Sequence, residues 1–255
     1  MSDDEARRFM AEHAHYADDL PFWRAAADRL GSPVLDLGAA AGRVSVDLAR
    51  AGHRVWAVDR SPAMLAEIGR RLADEDPEVR ARVTTVQAEL QDFAVAERFG
   101  LVLVAMNTLQ VLTDPADRLA CLRRIRAHLA DEGEFIFDVA LPDVEEITES
   151  IGVERSGGRH RDPASGATLV HSAWYDAWEP ATRTLEFTLR IVAHEGGGTR
   201  ETLRHHRVHL FSPEEIGELL TLSGMVPVAV MGDFDGSPIG PYSERQIHRC
   251  RAVPA

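Results

Sequence analysis

The run Asp36-Leu37-Gly38-Ala39-Ala40-Ala41-Gly42-Arg43 follows the apolar segment Pro33 to Leu37 and precedes a stretch of helical spacing from Val44 to Arg50. Small residues between a strand and a helix let the backbone come close to a ligand, and glycine accepts the tight turn this needs. Asp59 stands about 21 residues after Gly38, at the end of a second apolar run, where a carboxylate hydrogen-bonds ribose hydroxyls. The chemistry on offer is capture of a nucleoside-bearing ligand. A pyrophosphate would call for Gly-x-Gly-x-x-Gly. Here the glycines stand as Gly-x-x-x-Gly, which disfavours a nicotinamide dinucleotide. Each carboxylate also has a plainer reading: Asp36 as a strand-end group capping the next helix, Asp59 as a solvated turn residue.

These residues need a scaffold, and the chain alternates strands and helices. Strands are expected at 33–37, 54–58, 82–87, 101–105 and 134–139. Gly52 is placed to cap the first helix. Ser61-Pro62 starts the second, whose Met64, Leu65, Ile68 and Leu72 share one face. Asp114-Pro115 starts another, with Leu119, Leu122, Ile125 and Leu129 apolar and Gly133 as its end. Strand and helix at this spacing predict a parallel sheet covered on both faces. The pattern changes after Pro142. Residues 153 to 210 read as an antiparallel meander with turns at Asp162-Pro163-Ala164-Ser165-Gly166, Glu179-Pro180-Ala181-Thr182 and Gly196-Gly197-Gly198. Leu185, Phe187, Leu189 and Ile191 alternate with Thr184, Glu186, Thr188 and Arg190, giving one buried face and one exposed or ligand-facing face. Ser212-Pro213-Glu214-Glu215 opens a last helix that Gly224 closes, and 225–231 and 246–253 are the final strands.

Bulk properties exclude some classes. The net charge of −13 argues against a nucleic-acid partner. All 28 basic residues are arginine. The apolar runs are short, so no membrane span is expected. The acidic start Met1-Ser2-Asp3-Asp4-Glu5 lacks the plan of a signal peptide, and Cys121 and Cys250 are too few for a disulfide framework. The expectation is a cytoplasmic protein, monomer or homodimer.

Taken in order, several segments resemble the class I S-adenosylmethionine (SAM)-dependent methyltransferases. Asp36 to Gly42 is similar to that family's acidic-x-Gly-x-Gly-x-Gly loop, with Ala40 at the middle glycine. Asp59 matches its ribose-binding acid. Ala88-Glu89-Leu90 resembles the segment that meets the adenine. Phe99-Gly100-Leu101-Val102 through Asn107-Thr108-Leu109-Gln110 is similar to the fourth strand and the loop bordering the methyl group, with Gly100 where Asp is common. Leu129 to Phe135 resembles the turn into the fifth strand. The antiparallel insertion and the segment Tyr16 to Trp23 resemble small-molecule members, the amino-sugar and glycine-type N-methyltransferases. The resemblance implies an α/β fold: a doubly wound, mostly parallel seven-stranded Rossmann-like sheet, with helices on both faces and an antiparallel β insertion before the last helix. Residues 1–142 and 211–255 would form the SAM-binding core and 143–210 the substrate-covering insertion. It implies that Tyr16, Asp36, Gly38, Ala39, Gly42, Arg43, Asp59, Arg60, Met64, Glu89, Leu90, Met106 and Asn107 surround SAM, whose product is S-adenosylhomocysteine (SAH). The activity implied is methyl transfer to nitrogen or oxygen of a small molecule.

Candidates for handling the acceptor are Tyr175, His206 and Gln110. Tyr16, Trp174 and Tyr175 could wall the sulfonium, since aromatic faces attract cations; core packing is the plainer reading. Asn107 and Gln110 could instead satisfy a loop backbone. Asn107-Thr108-Leu109-Gln110 lacks the Pro-Pro-aromatic motif of base-nitrogen methylation. His205, His206 and His209 invite a metal reading, but His206 falls on the opposite strand face from the other two, and no metal is expected. Two rivals stay open: a SAM-binding fold catalysing a cyclisation or lyase step, and a SAM-binding protein without turnover.

Overall fold

Four of the described helices begin alike, with a Ser or Asp followed by proline. The computed structural model of the protein describes residues 16–141, 143–162 and 165–253. In it Ser61, Asp114 and Ser212 each accept a backbone N–H of the helix they precede, from Met64 (3.4 Å), Ala116 (2.7 Å) and Glu215 (3.2 Å). Such caps satisfy donors that have no partner within the helix, and proline at the first position sacrifices none. In chain order the elements are helix α1 (Leu20–Leu30), strand β1 (Val34–Leu37), α2 (Arg43–Arg50), β2 (Val55–Asp59), α3 (Pro62–Ala73), α4 (Pro77–Ala81), β3 (Val83–Gln87), β4 (Phe99–Val104), a short 3-10 turn (Thr108–Val111), α5 (Pro115–His128), β5 (Leu129–Ala140), α6 (Val144–Glu149), β6 (Arg155–Arg161), β7 (Thr168–Glu179), β8 (Thr184–Glu195), β9 (Gly198–His209), α7 (Pro213–Leu222), β10 (Met225–Met231) and β11 (Arg245–Ala252). Residues 1–15, Pro142, Pro163 and Ala164 lie outside the described residues, and with them the acidic start and part of one expected turn.

Seven strands form one sheet in the order β10-β11-β5-β4-β1-β2-β3. Strands β1 to β5 are parallel, and β11 runs antiparallel to β5 and β10. Chain order reverses at β1, between β2 and β4, which makes the carboxyl end of β1 the crevice of a doubly wound sheet. Both faces are covered. Phe135 and Phe137 stack at 4.8 Å and pack with Leu122 and Ile125 of α5 and Ile216 and Leu220 of α7. Ile136 turns the other way, toward Trp23 and Ala27 of α1 and Leu48 of α2. Each large apolar side chain buried this way contributes about 1.5–3 kcal/mol.

Two glycines explain local departures. A Cβ on Gly100 would lie 2.4 Å from the Leu30 carbonyl oxygen, so glycine lets β4 pass beneath the end of α1. Gly133 does not end α5, as the spacing predicts. The helix stops at His128, and Leu129 already pairs with Phe99. The pairing then shifts to Leu101 with Glu134, and a Cβ on Gly133 would sit 2.6 Å from the Phe99 carbonyl oxygen.

Strands β6 to β9 form a separate antiparallel sheet between β5 and α7. Its faces are less distinct than the alternation predicts. Thr188 is fully buried, because its hydroxyl sits between Asp176 (2.7 Å) and His205 (2.8 Å) on the face expected to be open. Among the described residues no helix is long and apolar enough to cross a membrane.

Candidate active site

The loop after β1 is drawn onto β2: Gly38 and Ala39 both donate their N–H to the Val58 carbonyl, at 2.8 and 2.9 Å. Gly38 has φ 73°, and a Cβ there would fall 2.3 Å from the Thr108 γ-methyl. Only glycine allows the loops after β1 and β4 to touch. Gly42 (φ 75°) likewise lies against Ile68 of α3. Ala40 takes φ 47°, which costs a side-chain-bearing residue about 1–2 kcal/mol. Its N–H is held by Asp59 Oδ2 at 2.9 Å, while Asp59 Oδ1 accepts from Ser61 N–H at 2.8 Å. A carboxylate has about four acceptor positions, so Asp59 keeps capacity for the hydroxyls of a ligand. The Ala88 N–H donates to the Asp59 carbonyl at 3.2 Å, bringing residues 88–90 to the same edge. There Glu89 is exposed and Leu90 buried.

Asp36 lies beneath this loop. It is buried and accepts from the Ser45 hydroxyl at 2.6 Å; burial pushes its carboxyl up to about 6. Arg43 points to α1, pairing with Asp19 (2.7 Å from Nη2 to Oδ2) and lying 5.0 Å from the Tyr16 ring centre. Asp19, fully buried, also accepts from Trp23 Nε1 at 2.9 Å. The Tyr16 hydroxyl accepts from Arg245 at 3.1 Å, so one charged chain ties the start of α1 to α2 and β11.

After β4 the backbone turns sharply. Met106 (φ 55°) and Asn107 (φ 59°) are both left-handed, and Asp138 at the end of β5 accepts from both N–H groups, at 2.8 and 3.2 Å. Each such residue costs about 1–3 kcal/mol unless its surroundings fix it. Asn107 is exposed at the crevice edge.

The arrangement is a cradle of close backbone approach with one ribose-type carboxylate and no phosphate-binding glycine pair. Residues 34–133 match the family model described as a methyltransferase domain. Over 217 residues, 85% of this chain and 82% of the relative, the sequence is 27% identical to the cypemycin N-terminal methyltransferase of a Streptomyces species. The structure of the CcbJ methyltransferase from Streptomyces caelestis covers 96% of both chains with a TM-score of 0.79 and 24% identity, a likeness of fold. The glycopeptide N-methyltransferase MtfA, solved in complex with SAM, is 27% identical and covers 94% of this chain and 96% of that one, with a TM-score of 0.61.

Residues 34–133 carry a methyltransferase domain, and over most of its length the chain resembles SAM-dependent methyltransferases. SAM is the methyltransferase's cofactor, and the residues present fit it: the Gly38 cradle, which a Cβ would fill, and the half-engaged Asp59 stand side by side. The structure brings Gly38, Ala39, Gly42, Asp59, Met106 and Asn107 to one crevice. Arg60 is exposed beside Asp59, and Met64 is buried behind the loop with Ala41 and Ala63.

Of the three acceptor-side candidates, Gln110 donates its N–H to the Asn107 carbonyl at 2.9 Å, while Tyr175 and His206 stand on the second sheet. Tyr175 pairs opposite Phe187, and Phe187 opposite His206, so the three form one row across β7, β8 and β9. His206 stacks on Phe187 at 4.8 Å. Partial burial, then the charges of Arg204 and His205, push its imidazole below the usual value. Gln110 is buried, with Nε2 donating to the His209 carbonyl (3.1 Å) and Oε1 accepting from Ala140 N–H (3.2 Å). It braces the two sheets, with both ends of its amide engaged.

Sequence reasoning missed Asp19, Thr108 and Asp138. Only Asp138 left a signal: a carboxylate inside the apolar run Phe135 to Val139. An open cavity of about 340 Å³ lies in the loop between β10 and β11, lined by Asp233, Ser237, Tyr242 and Glu244 among others; Arg245 joins it to Tyr16.

Proposed function

We propose that the protein transfers a methyl group from SAM to a nitrogen or oxygen of a small molecule, of the kind made in specialised metabolism. The observation that carries this reading is Asp59: its carboxylate is fixed by two backbone N–H groups at the switch point, with acceptor capacity left for a ribose. When bound, SAM supplies an electrophilic methyl on a sulfonium that leaves as a neutral thioether. The chain's own residues bind, align and exclude water. The Gly38 to Gly42 loop admits the cofactor backbone to backbone, Asp59 holds its ribose, and Glu89 and Leu90 border the adenine. The sheet of β6 to β9, within an insertion spanning 143–210, covers the acceptor.

A protonated amine has no lone pair to offer, so an amine acceptor must lose a proton first. His206 is the better-suited group: its lowered pKa leaves the imidazole neutral near pH 7. Tyr175 in the same row would orient the acceptor. Nitrogen is favoured by the N-methyltransferases among the relatives, and the net charge of −13 disfavours a nucleic-acid acceptor. The reading places the enzyme in the cytoplasm, as a monomer or homodimer. Incubation with SAM and a panel of amines and hydroxylated small molecules, read by mass spectrometry, tests it. A product heavier by about 14 Da, with SAH released, is expected. SAH-free conversion at unchanged methyl count would favour the lyase or cyclase reading.

A further inference from the structure

The turn after β4 sets two consecutive side-chain-bearing residues, Met106 and Asn107, in a backbone region that L residues avoid. One carboxylate stabilises both. Asp138 Oδ1 accepts from Met106 N–H at 2.8 Å and Oδ2 from Asn107 N–H at 3.2 Å, with Asp138 only 4% exposed. Packing does not ask for an acid here. Asp138 stands in β5 opposite Ile247 of β11, among Phe137 and Val139, where an apolar side chain would avoid burying a charge. The acid is explained by the turn it holds.

What the turn faces follows from the sheet order. With a ribose at Asp59 on β2, one end of SAM lies toward β3, beside Ala88 and the buried Leu90. The other end crosses β1 to β4, where Gly38 lies against Thr108 of the turn and the polar Asn107 is exposed. The apolar side suits the adenine, and the polar side suits a zwitterionic amino acid. We infer that Asp138 is a positioning residue for SAM, holding the Met106–Asn107 turn in the left-handed form that presents Asn107 to the amino-acid end of the cofactor. This rests on the reading that the crevice binds SAM.

The inference carries a pH dependence. Burial raises the Asp138 carboxyl to about 6, against the two backbone hydrogen bonds; Asp19 from α1 raises it further and Arg245 from β11 opposes. Tyr16, bonded to Arg245, and Arg43, bonded to Asp19, complete the charged surroundings. The ionised carboxylate accepts both N–H groups; the protonated acid accepts them more weakly. The turn therefore loosens as pH falls through about 6.

The test compares wild type with Asp138→Asn, titrating SAH and, separately, adenosine, which lacks the amino-acid arm. Near neutral pH the folded variant is expected to bind SAH about tenfold or more weakly, the scale of a lost charged hydrogen bond. Its adenosine affinity should stay within about twofold. SAH affinity within about twofold of wild type would overturn the inference. So would equal losses for SAH and adenosine, which mark a general structural defect. Should the variant not fold, amide NMR of wild type decides. The Met106 and Asn107 signals are expected to titrate near pH 6 in step with SAH affinity, and signals flat across that range would overturn the inference. Absence of both SAH and adenosine binding by wild type would instead overturn the cofactor reading of the crevice, and this inference with it.

Discussion

Ala40 donates its N–H to Asp59 at 2.9 Å while its own φ stands at 47°. The hydrogen bond that fixes the ribose carboxylate is made by a residue in a conformation suited to glycine. Ala40→Gly removes a cost of about 1–2 kcal/mol in the folded state. It adds back about 0.4–1 kcal/mol through the freer unfolded chain. A net gain of roughly 0.5–1 kcal/mol in urea unfolding is expected, with SAH affinity kept. A clear loss of stability would show that the Ala40 methyl packs productively.

Gly38 and Thr108 form the converse case. Gly38→Ala puts a methyl 2.3 Å from the Thr108 γ-methyl at φ 73°. The expected loss is about 1–3 kcal/mol with weakened SAH binding. Adding Thr108→Ala should recover part of it, since it removes the clash and leaves the strained φ. A double-mutant cycle with no coupling would refute the contact.

Much of the fold was legible because its signals are local. Ser61-Pro62, Asp114-Pro115 and Ser212-Pro213 mark helix starts within a few residues, and each cap is made as expected. The apolar runs around Val34, Val55 and Leu101 read directly as strands, and the small-residue loop with Asp59 marked the crevice. The illegible parts are contacts across the sheet. Asp138 lies 32 residues from Met106, and Arg43 lies 24 from Asp19. Periodicity reports which face a residue takes, and says nothing of such partners. The end of α5 was misplaced for a related reason: Leu129 continues the helical spacing, but pairing with Phe99 claims it for β5.

Two carboxyls give opposite pH signatures. Glu134, fully buried, is desolvated, yet its hydrogen bonds to Arg29 and Arg249 and their charges hold it down near about 2. Its folded value lies below the ordinary 4.5, so its stabilisation is present above about 4.5 and is lost as pH falls toward about 2. Asp36 is raised to about 6 from 3.8 by burial. Its effect is the reverse: stability declines as pH rises from about 4 to about 6. Asp36→Asn, which keeps an acceptor for Ser45, should therefore gain up to about 3 kcal/mol near pH 7 and nothing near pH 4. Equal destabilisation at both pH values, in paired denaturant titrations, would contradict the assignment.

Gln110 joins the two sheets through His209 and Ala140. Gln110→Leu leaves the buried His209 carbonyl and the half-buried Ala140 N–H without this partner, at a cost of about 1–3 kcal/mol. Limited proteolysis should then reach the turns near Pro180 and Gly196, between strands of the second sheet, sooner than in wild type. An unchanged cleavage pattern would show that the sheets are held by other contacts.

The central claim is that the crevice at the end of β1 is the SAM site and that Asp59 holds the ribose. Calorimetric titration of wild type and Asp59→Ala with SAM, SAH and NAD tests it directly. The account predicts micromolar binding of SAM and SAH, weakened about tenfold or more by the substitution, and no binding of NAD. Failure of the folded wild type to bind SAM and SAH, or undiminished binding by Asp59→Ala, would contradict it.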